Sequence, residues 1–378
     1  MAPSSGRCET HCVASGVDGV THIARPGGSD SKYGNQPEMK NGPLFISWAP
    51  YCSRSDGIAR RLGGESHMVY SSGWGSNIFT VAFKYLSQTI KTLWLLFRKR
   101  PDVVFVMAPP VIACIPVWLY CALCGKSFVI DAHTGAFLHP RWTRLQWIQR
   151  FFSRRARTTI VTNTFLQDRV HSWGAHATII TDVPVYFAEP APVELVGECN
   201  MTLVSSFCDD EPLEEFLAAA GSCPDVQFHV TGNTQKLSRQ VLDSAPTNVR
   251  FTGFLSDSEY VGLVQASDAV IALTNRDHTM QRAGYEAIYL GRPVVTSDFG
   301  CLREAFPLGT VHVPPTAEGI AGGVRQMRLE CDRYRQEAEE LRARKLDRWA
   351  EVADELRSLL SITNGTTCDP VASVPTPE

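Results

Sequence analysis

Basic charge is not in excess in this chain: 36 Lys and Arg stand against 39 Asp and Glu, a net charge of −3. No nucleic-acid partner is expected, because phosphate backbones are held by a surplus of Lys and Arg. Repeated metal spacings are missing among the 12 cysteines. The C-x-x-C of Cys121 and Cys124 lies in the apolar run VWLYCALCG with no second pair at zinc-finger distance. Buried, reduced thiols of a cytosolic protein are therefore expected, and the sequons at Asn200 and Asn364 carry little weight. No D-x-D stands at a strand end, so no metal and no other cofactor is expected. The opening MAPSSGRCETHC lacks the apolar core of a secretory signal. The apolar run over residues 108–125 is short of the ~20 residues that span a bilayer, and it contains Pro109, Pro110 and Pro116.

What is present is a globular composition, 44% hydrophobic and 20% charged, in a chain of 378 residues, longer than one core usually supports. Residues 1–42, rich in Gly, Ser, Pro and Asp, read as a flexible leader, and residues 362–378 as a tail. From residue 43 to 188, short β-branched runs (LFISWAP, HMVYSS, VVFVMAP, SFVIDAH, TTIVTN, ATIITDVP) alternate with helical segments such as IFTVAFKYLSQTIKTLWLLFRK. Residues 189–198, with EPAPVE, form a linker. The alternation resumes over 199–340 with MTLVSSF, VQFHVTGN, NVRFTGF, DAVIALT, RPVVTSD and TVHVPP, and a helix over 341–361 follows. Two runs of βα units predict an α/β protein of two doubly wound parallel sheets, with a ligand at the carboxyl ends of the strands between the domains.

The turns after those strands hold the first candidate residues. Ser55, Asp56 and Gly57 precede a helix whose free N–H groups could face an anion, although Ser55 or Asp56 could equally be an ordinary N-cap. His133 directly follows a strand, where it can donate a hydrogen bond, carry a proton or serve structure. Gly232 with Asn233, and Thr252 with Gly253, Phe254 and Leu255, follow two strands of the second half, where a glycine lets a ligand or another loop approach.

The D-A-H-T turn, with V-T-G-N, F-x-G-F, S-D-A-V and Y-E-A-x-x-x-G-x-P-V-V in order, resembles the GT-B glycosyltransferases, and among them the retaining, nucleotide-sugar-dependent family 4. The resemblance covers about residues 44–360 and is strongest over 248–304. It implies two Rossmann-like domains, an acceptor domain first and a nucleotide-sugar domain second. It also implies that Glu286, matching the second glutamate of E-x7-E, accepts hydrogen bonds from the ribose diol of the donor, a task suited to a carboxylate. His278 stands where the first glutamate would be, and can donate where a glutamate only accepts. The basic G-R-x-x-x-K-G clamp of the family corresponds to residues 204–216, VSSFCDDEPLEEF, which hold no base and carry Asp209, Asp210 and Glu211. The developing charge on a leaving diphosphate needs donors. Arg276 is the candidate, assisted by His278, Arg282 and N–H groups near Thr279; a surface pair with a neighbouring acid is the competing role for Arg276. His133 would face the sugar or acceptor, Ser55, Asp56 and Gly57 the diphosphate, and residues 252–255 the base.

Charge is unevenly placed. Residues 139–157 carry six arginines and no acid, interleaved with Trp142, Trp147, Phe151 and Phe152, and lie near FRKR at 97–100. Such a surface beside the 108–125 run suits an anionic leaflet, while the run could equally be the buried crossover helix of a βαβ unit. The expected function is hexosyl transfer from a UDP- or GDP-sugar to a glycan or polyprenyl-linked acceptor in polysaccharide or glycoconjugate synthesis, by a cytoplasmic enzyme peripheral to the inner membrane face. A non-catalytic scaffold subunit that has lost its clamp, and a nucleotide-sugar epimerase, are the alternatives.

Overall fold

The computed structural model describes residues 42–71 and 78–361; apart from Gly42, the leader and the tail lie outside the described residues. Twelve strands run β1 (Leu44–Ser47), β2 (Glu65–Met68), β3 (Val103–Ala108), β4 (Ser127–Ala132), β5 (Thr159–Val161), β6 (Ala177–Ile179), β7 (Asn200–Val204), β8 (Gln227–Thr231), β9 (Val249–Gly253), β10 (Ala269–Ala272), β11 (Val294–Ser297) and β12 (Thr310–Val313). The helices are α1 (Ser53–Arg61), α2 (Ile78–Lys99), α3 (Cys114–Cys124), α4 (Thr134–Leu138), α5 (Pro140–Thr143), α6 (Gln146–Ser153), α7 (Thr164–Ser172), α8 (Leu213–Gly221), α9 (Arg239–Asp243), α10 (Asp257–Ala266), α11 (Arg282–Tyr289), α12 (Gly300–Ala305), α13 (Ala317–Leu329) and α14 (Cys331–Ser361).

The strands form two parallel sheets, ordered β2-β1-β3-β4-β5-β6 and β12-β11-β10-β7-β8-β9, as the two runs of βα units predict. Burial follows position in the sheet. Central β3 and β10 are buried at every residue, because helices cover both faces, whereas the edge strand β2 is buried at none. Strand order reverses between β1 and β3 in the first sheet and between β10 and β7 in the second, and the loops beyond those carboxyl ends open the crevices where ligands of such sheets lie.

The run over 108–125 takes the crossover role. Ala108 ends β3, α3 packs through Cys114, Val117, Tyr120 and Cys121 into the first core, and Gly125 in the left-handed region closes the helix before β4. Among the described residues, no helix is long and apolar enough to cross a membrane.

The last helix is continuous from Cys331 rather than beginning at 341. Tyr334, Ala338 and Leu341 pack into the second domain, while Val352, Ala353, Leu356 and Leu360 pack with Phe45, Ile58 and Phe105 of the first. The domains are thus joined twice. A buried polar junction reinforces the joint: Tyr289 donates to Asp182 at 2.6 Å, and Lys345 pairs with the same carboxylate.

Candidate functional site

The first half of the cleft centres on a buried charge cluster at the end of β4. Asp131 is 1% exposed in a strand with no solvent on either side, so its carboxylate needs partners. Arg54, in the first turn of α1, donates to its Oδ1 at 2.9 Å and to the Ile180 carbonyl at 2.9 Å. His133 Nε2 lies 3.5 Å from its Oδ2, and that nitrogen is shielded from solvent although the rest of the side chain is open. Burial alone would raise the carboxyl of Asp131, but Arg54 and then His133 hold it down to about 2. Burial would likewise lower His133; hydrogen bonding and charge from Asp131 and Cys52 bring it up to about 9. The Cys52 thiol, against its burial, is lowered by His133. At neutral pH the ring of His133 is therefore an imidazolium at the cleft edge, a donor rather than a base.

Stability should follow those pKa values. The raised His133 stabilises the fold in full below its unfolded pKa near 6.5 and loses that contribution as pH rises through about 9. The depressed Asp131 contributes in full above 3.8 and loses its part as pH falls through about 2. The melting temperature is expected to be level between those limits and to fall by a few degrees between pH 6.5 and 9.5 in calorimetry. Most of that alkaline fall should be absent from His133→Gln.

The residues expected beneath a diphosphate do not line the cleft. Helix α1 begins at Ser53, with Cys52 at its cap making no side-chain capping bond, so Ser55 and Asp56 sit within the helix and neither caps it. Ser55 is 1% exposed and exchanges hydrogen bonds with Ser47 Oγ and Cys52 Sγ. Asp56 turns to Ser66 and Arg60, and Gly57 packs against Val183. Three consecutive helical residues point in three directions, one of them the core. The group of α1 that serves the cleft is Arg54, unmarked in the sequence except by the acid it must neutralise, 77 residues away.

The second half lies where strand order reverses. The loops after β7 and β10 are tied together, Asn275 N donating to the Asp210 carbonyl at 2.6 Å and Arg276 facing the Asp210 carboxylate at 3.8 Å. The competing surface pair is thus the one formed. At 64% exposure for Arg276 it contributes little, about 0–1 kcal/mol, and leaves the guanidinium free to turn. His278, at φ +58°, is bonded through its N–H to Asp277 Oδ1, and its ring stacks on Phe165 of the first domain at 4.2 Å and 10°. Thr164 of the first domain also donates to Glu304 at 3.2 Å, so α7 is clasped at two points. Thr279 Oγ1 makes only a long contact with the Asp277 carbonyl.

Glu286 lies in the second turn of α11 rather than at its start, and is 6% exposed. Arg282 Nε donates to its Oε1 at 2.6 Å and Tyr260 to its Oε2 at 2.9 Å. Each oxygen retains one lone pair for a further donor. Burial and the neighbouring carboxylate push the Tyr260 phenol far up, so it is a donor at every working pH. Tyr260, 26 residues upstream on α10, went unrecognised in the sequence because a tyrosine in a helix of mixed composition is usually core. The two halves face each other through His278 on Phe165 and Thr164 on Glu304.

The segment in place of the basic clamp is occupied by its own acid. Glu211 accepts from Ser205 Oγ at 2.5 Å, Ser206 N at 2.9 Å, Ser206 Oγ at 2.7 Å and Phe207 N at 2.9 Å. Successive N–H groups beyond a strand end form an anion cradle, and here a carboxylate fills it. Gly232 is required beside that loop: at φ +139°, a Cβ would stand 2.3 Å from the Ser205 carbonyl and 2.7 Å from Phe207. Its glycine serves the approach of another loop. Asn233 caps the following 3-10 turn through Gln235 N. Thr252 donates to main-chain carbonyls, Gly253 turns the chain at φ +76°, Leu255 is half-buried and Phe254 is 66% exposed. Among the described residues, no group of His, Cys, Asp and Glu is arranged to hold a metal ion.

Known proteins share this fold. Residues 210–327 match the family described as Glycosyl transferases group 1. The chitobiosyldiphosphodolichol beta-mannosyltransferase of Mus musculus is 28% identical over 147 residues, which are 36% of this chain and 30% of that protein. The sucrose-phosphate synthase of Thermosynechococcus elongatus superposes with a TM-score of 0.64 at 13% identity, over 85% of this chain and 99% of the other. The Anabaena HepE protein, in complex with UDP and glucose, gives 0.63 at 14%, over 85% and 100%. At those identities the structural likeness is one of fold. The chain therefore has the GT-B fold, and residues 210–327 of its second domain are similar to the glycosyl transferases group 1.

Proposed function

We propose that the chain transfers a hexosyl group from a UDP- or GDP-sugar to a hydroxyl of a lipid-linked glycan, at the cytoplasmic face of a membrane and without a metal ion. The observation that carries this reading is the Glu286 carboxylate, buried on Arg282 and Tyr260 in the helix beyond the strand-order reversal of the second sheet, with Arg276 and His278 on the loop that leads into that helix. It is supported by the UDP and glucose held by the HepE protein and by the diphosphate-linked lipid in the name of the mouse relative. In this reading Glu286 takes the ribose diol on its remaining lone pairs, the exposed Phe254 ring meets the base, and Arg276 leaves Asp210 for the diphosphate. The acceptor oxygen bonds to the anomeric carbon as the bond to phosphate breaks on the same face, and its proton passes to the departing phosphate oxygen. Retention needs no base, and His133, protonated below about pH 9, is suited to donate to the sugar or the leaving group.

Calorimetric titration with UDP and with GDP tests the donor site. One nucleotide is expected to bind, with affinity about tenfold lower in Arg276→Ala. Proton NMR of the product then reads the anomer. An inverted product, such as a β-mannoside from an α-linked donor, would reject the retaining mechanism. Absence of binding to either nucleotide by the folded chain would reject the donor site. The Glu211 carboxylate in its N–H cradle favours a second reading, a scaffold that binds no donor. Under that reading wild type stays silent in the titration while Glu211→Gln, with the cradle's charge removed, gains affinity for inorganic diphosphate.

A further inference from the structure

Helix α2 is apolar on both sides: Tyr85, Leu93 and Leu95 pack against the first core, and a second apolar line faces outward. Its inward line, Gln88, Thr92 and Leu96, is fully buried and two-thirds polar: Gln88 Nε2 donates to the Val69 carbonyl at 2.9 Å, and Thr92 Oγ1 accepts from Trp48 Nε1 at 3.0 Å. Its outward line at helical spacing is Leu86, Ile90, Trp94 and Phe97, exposed at 56%, 59%, 61% and 46%. A helix facing water alone carries the opposite pattern. The apolar line continues on the neighbours, through Ile115, Leu119 and Leu123 of α3 and Trp147 of α6, the last 70% exposed. These helices form one layer. Phe97 of α2 meets Tyr120 of α3 edge-on at 5.4 Å, Trp118 of α3 meets Phe151 of α6 at 5.7 Å, and their inner sides share one core.

The unpaired charge around this layer has one sign, Glu65 of β2 being held by Lys99 at 2.8 Å. Residues 78–167 hold twelve Lys and Arg against two acids, Asp102 and Asp131, in a chain where acids outnumber bases. Asp131 is buried on Arg54, and Asp102 is paired with Lys126 at 2.5 Å. Two of the guanidiniums lie over exposed rings of the layer, Arg98 above Trp94 at 5.2 Å and Arg155 above Phe151 at 3.5 Å.

We infer that the outer face of α2, α3 and α6 lies on an anionic lipid leaflet, with Leu86, Ile90, Trp94, Leu123 and Trp147 in the acyl boundary and the arginines at the headgroups. The commitment to lipid rests on charge complementarity. A protein groove presents mixed signs to its partner, whereas an apolar ridge set among bases alone matches a surface that is apolar beneath and uniformly negative above. With no helix of the described residues able to cross the bilayer, the layer rests on it. The inference uses no residue of the cleft and stands or falls apart from the transfer reaction.

The test is flotation of the full chain with vesicles of phosphatidylcholine, alone or mixed with phosphatidylglycerol. Binding to the anionic vesicles is expected, and should weaken as salt is raised. The double variant Ile90→Gln, Trp94→Gln should bind about tenfold more weakly, and so should Arg150→Gln, Arg154→Gln with a smaller salt dependence. All of these side chains point away from the core, and circular dichroism and melting confirm that each variant is folded. Failure of the folded wild type to float with anionic vesicles overturns the inference, as does equal flotation of the Ile90, Trp94 variant. Lipid-free self-association that the same variant abolishes would assign the face to a second copy, and overturns it as well.

Discussion

Asparagine in place of Asp131 is expected to lower the melting temperature by roughly 10 °C, the largest stability effect available from a near-isosteric change in this chain. Breaking a buried pair by removing one partner costs about 3–5 kcal/mol, because the remaining charge stays out of water. Arg54 is 12% exposed and would keep the Ile180 carbonyl and a neutral amide oxygen, with no counter-charge beside it. His133 would lose the charge that holds it protonated, so the alkaline fall in stability should vanish together with the loss of Tm. The exposed pair of Arg303 with Asp298 provides the contrast: Arg303→Ala should leave the melting temperature essentially unchanged. A variant Asp131→Asn that melts with wild type at pH 6 would show that the cluster is not stabilised by its charges.

Glu286→Gln is expected to weaken nucleotide binding by about ten- to hundredfold while leaving the fold nearly intact, since a hydrogen bond to a charged group contributes about 1.5–3 kcal/mol and a neutral one about half that. Glutamine keeps an acceptor for Tyr260 or for Arg282, but not the charge that both share. Tyr260→Phe separates the two roles of the carboxylate. It removes the buried donor, at a cost near 1 kcal/mol of stability, and frees one carboxylate oxygen for the ribose, so affinity should hold or rise. Equal loss of affinity in both variants would mean that Glu286 acts by holding α10 to α11 and not by touching the nucleotide. Melting curves beside the titrations distinguish the outcomes.

The positions of the strands and the longest helices were legible because each answers to a local rule. Apolar β-branched runs between glycine and proline turns make parallel strands, and eleven of the twelve fall on the runs read there, whereas the exposed edge strand β2 starts two residues ahead of its run. The capping box of α10, Ser256 with Glu259, and the 22 residues of α2 are equally local. The sequence marked α2 as a helix, yet not which of its faces turns inward. Only the packed fold shows that Gln88 and Thr92 find partners at Val69 and Trp48 while the apolar line stays outside.

The same limit governs the site. Glu286, Arg276 and His278 could be picked out because the stretch 276–286 resembles the E-x7-E motif of the GT-B glycosyltransferases. Arg54 with Asp131, Tyr260 with Glu286, Phe165 with His278 and Asp182 with Tyr289 are brought together by strand order and domain pairing. Ser55, chosen from its place after a strand, faces the core because one residue along a helix turns a side chain by about 100°. By itself, the sequence determined two doubly wound sheets, their order of elements and the loops that border the cleft, since these depend on hydrophobic period and turn chemistry. Which acid meets which base, and which carboxylate fills its own anion cradle, was decided by the tertiary structure, because a charge far along the chain has no local rule to announce its partner.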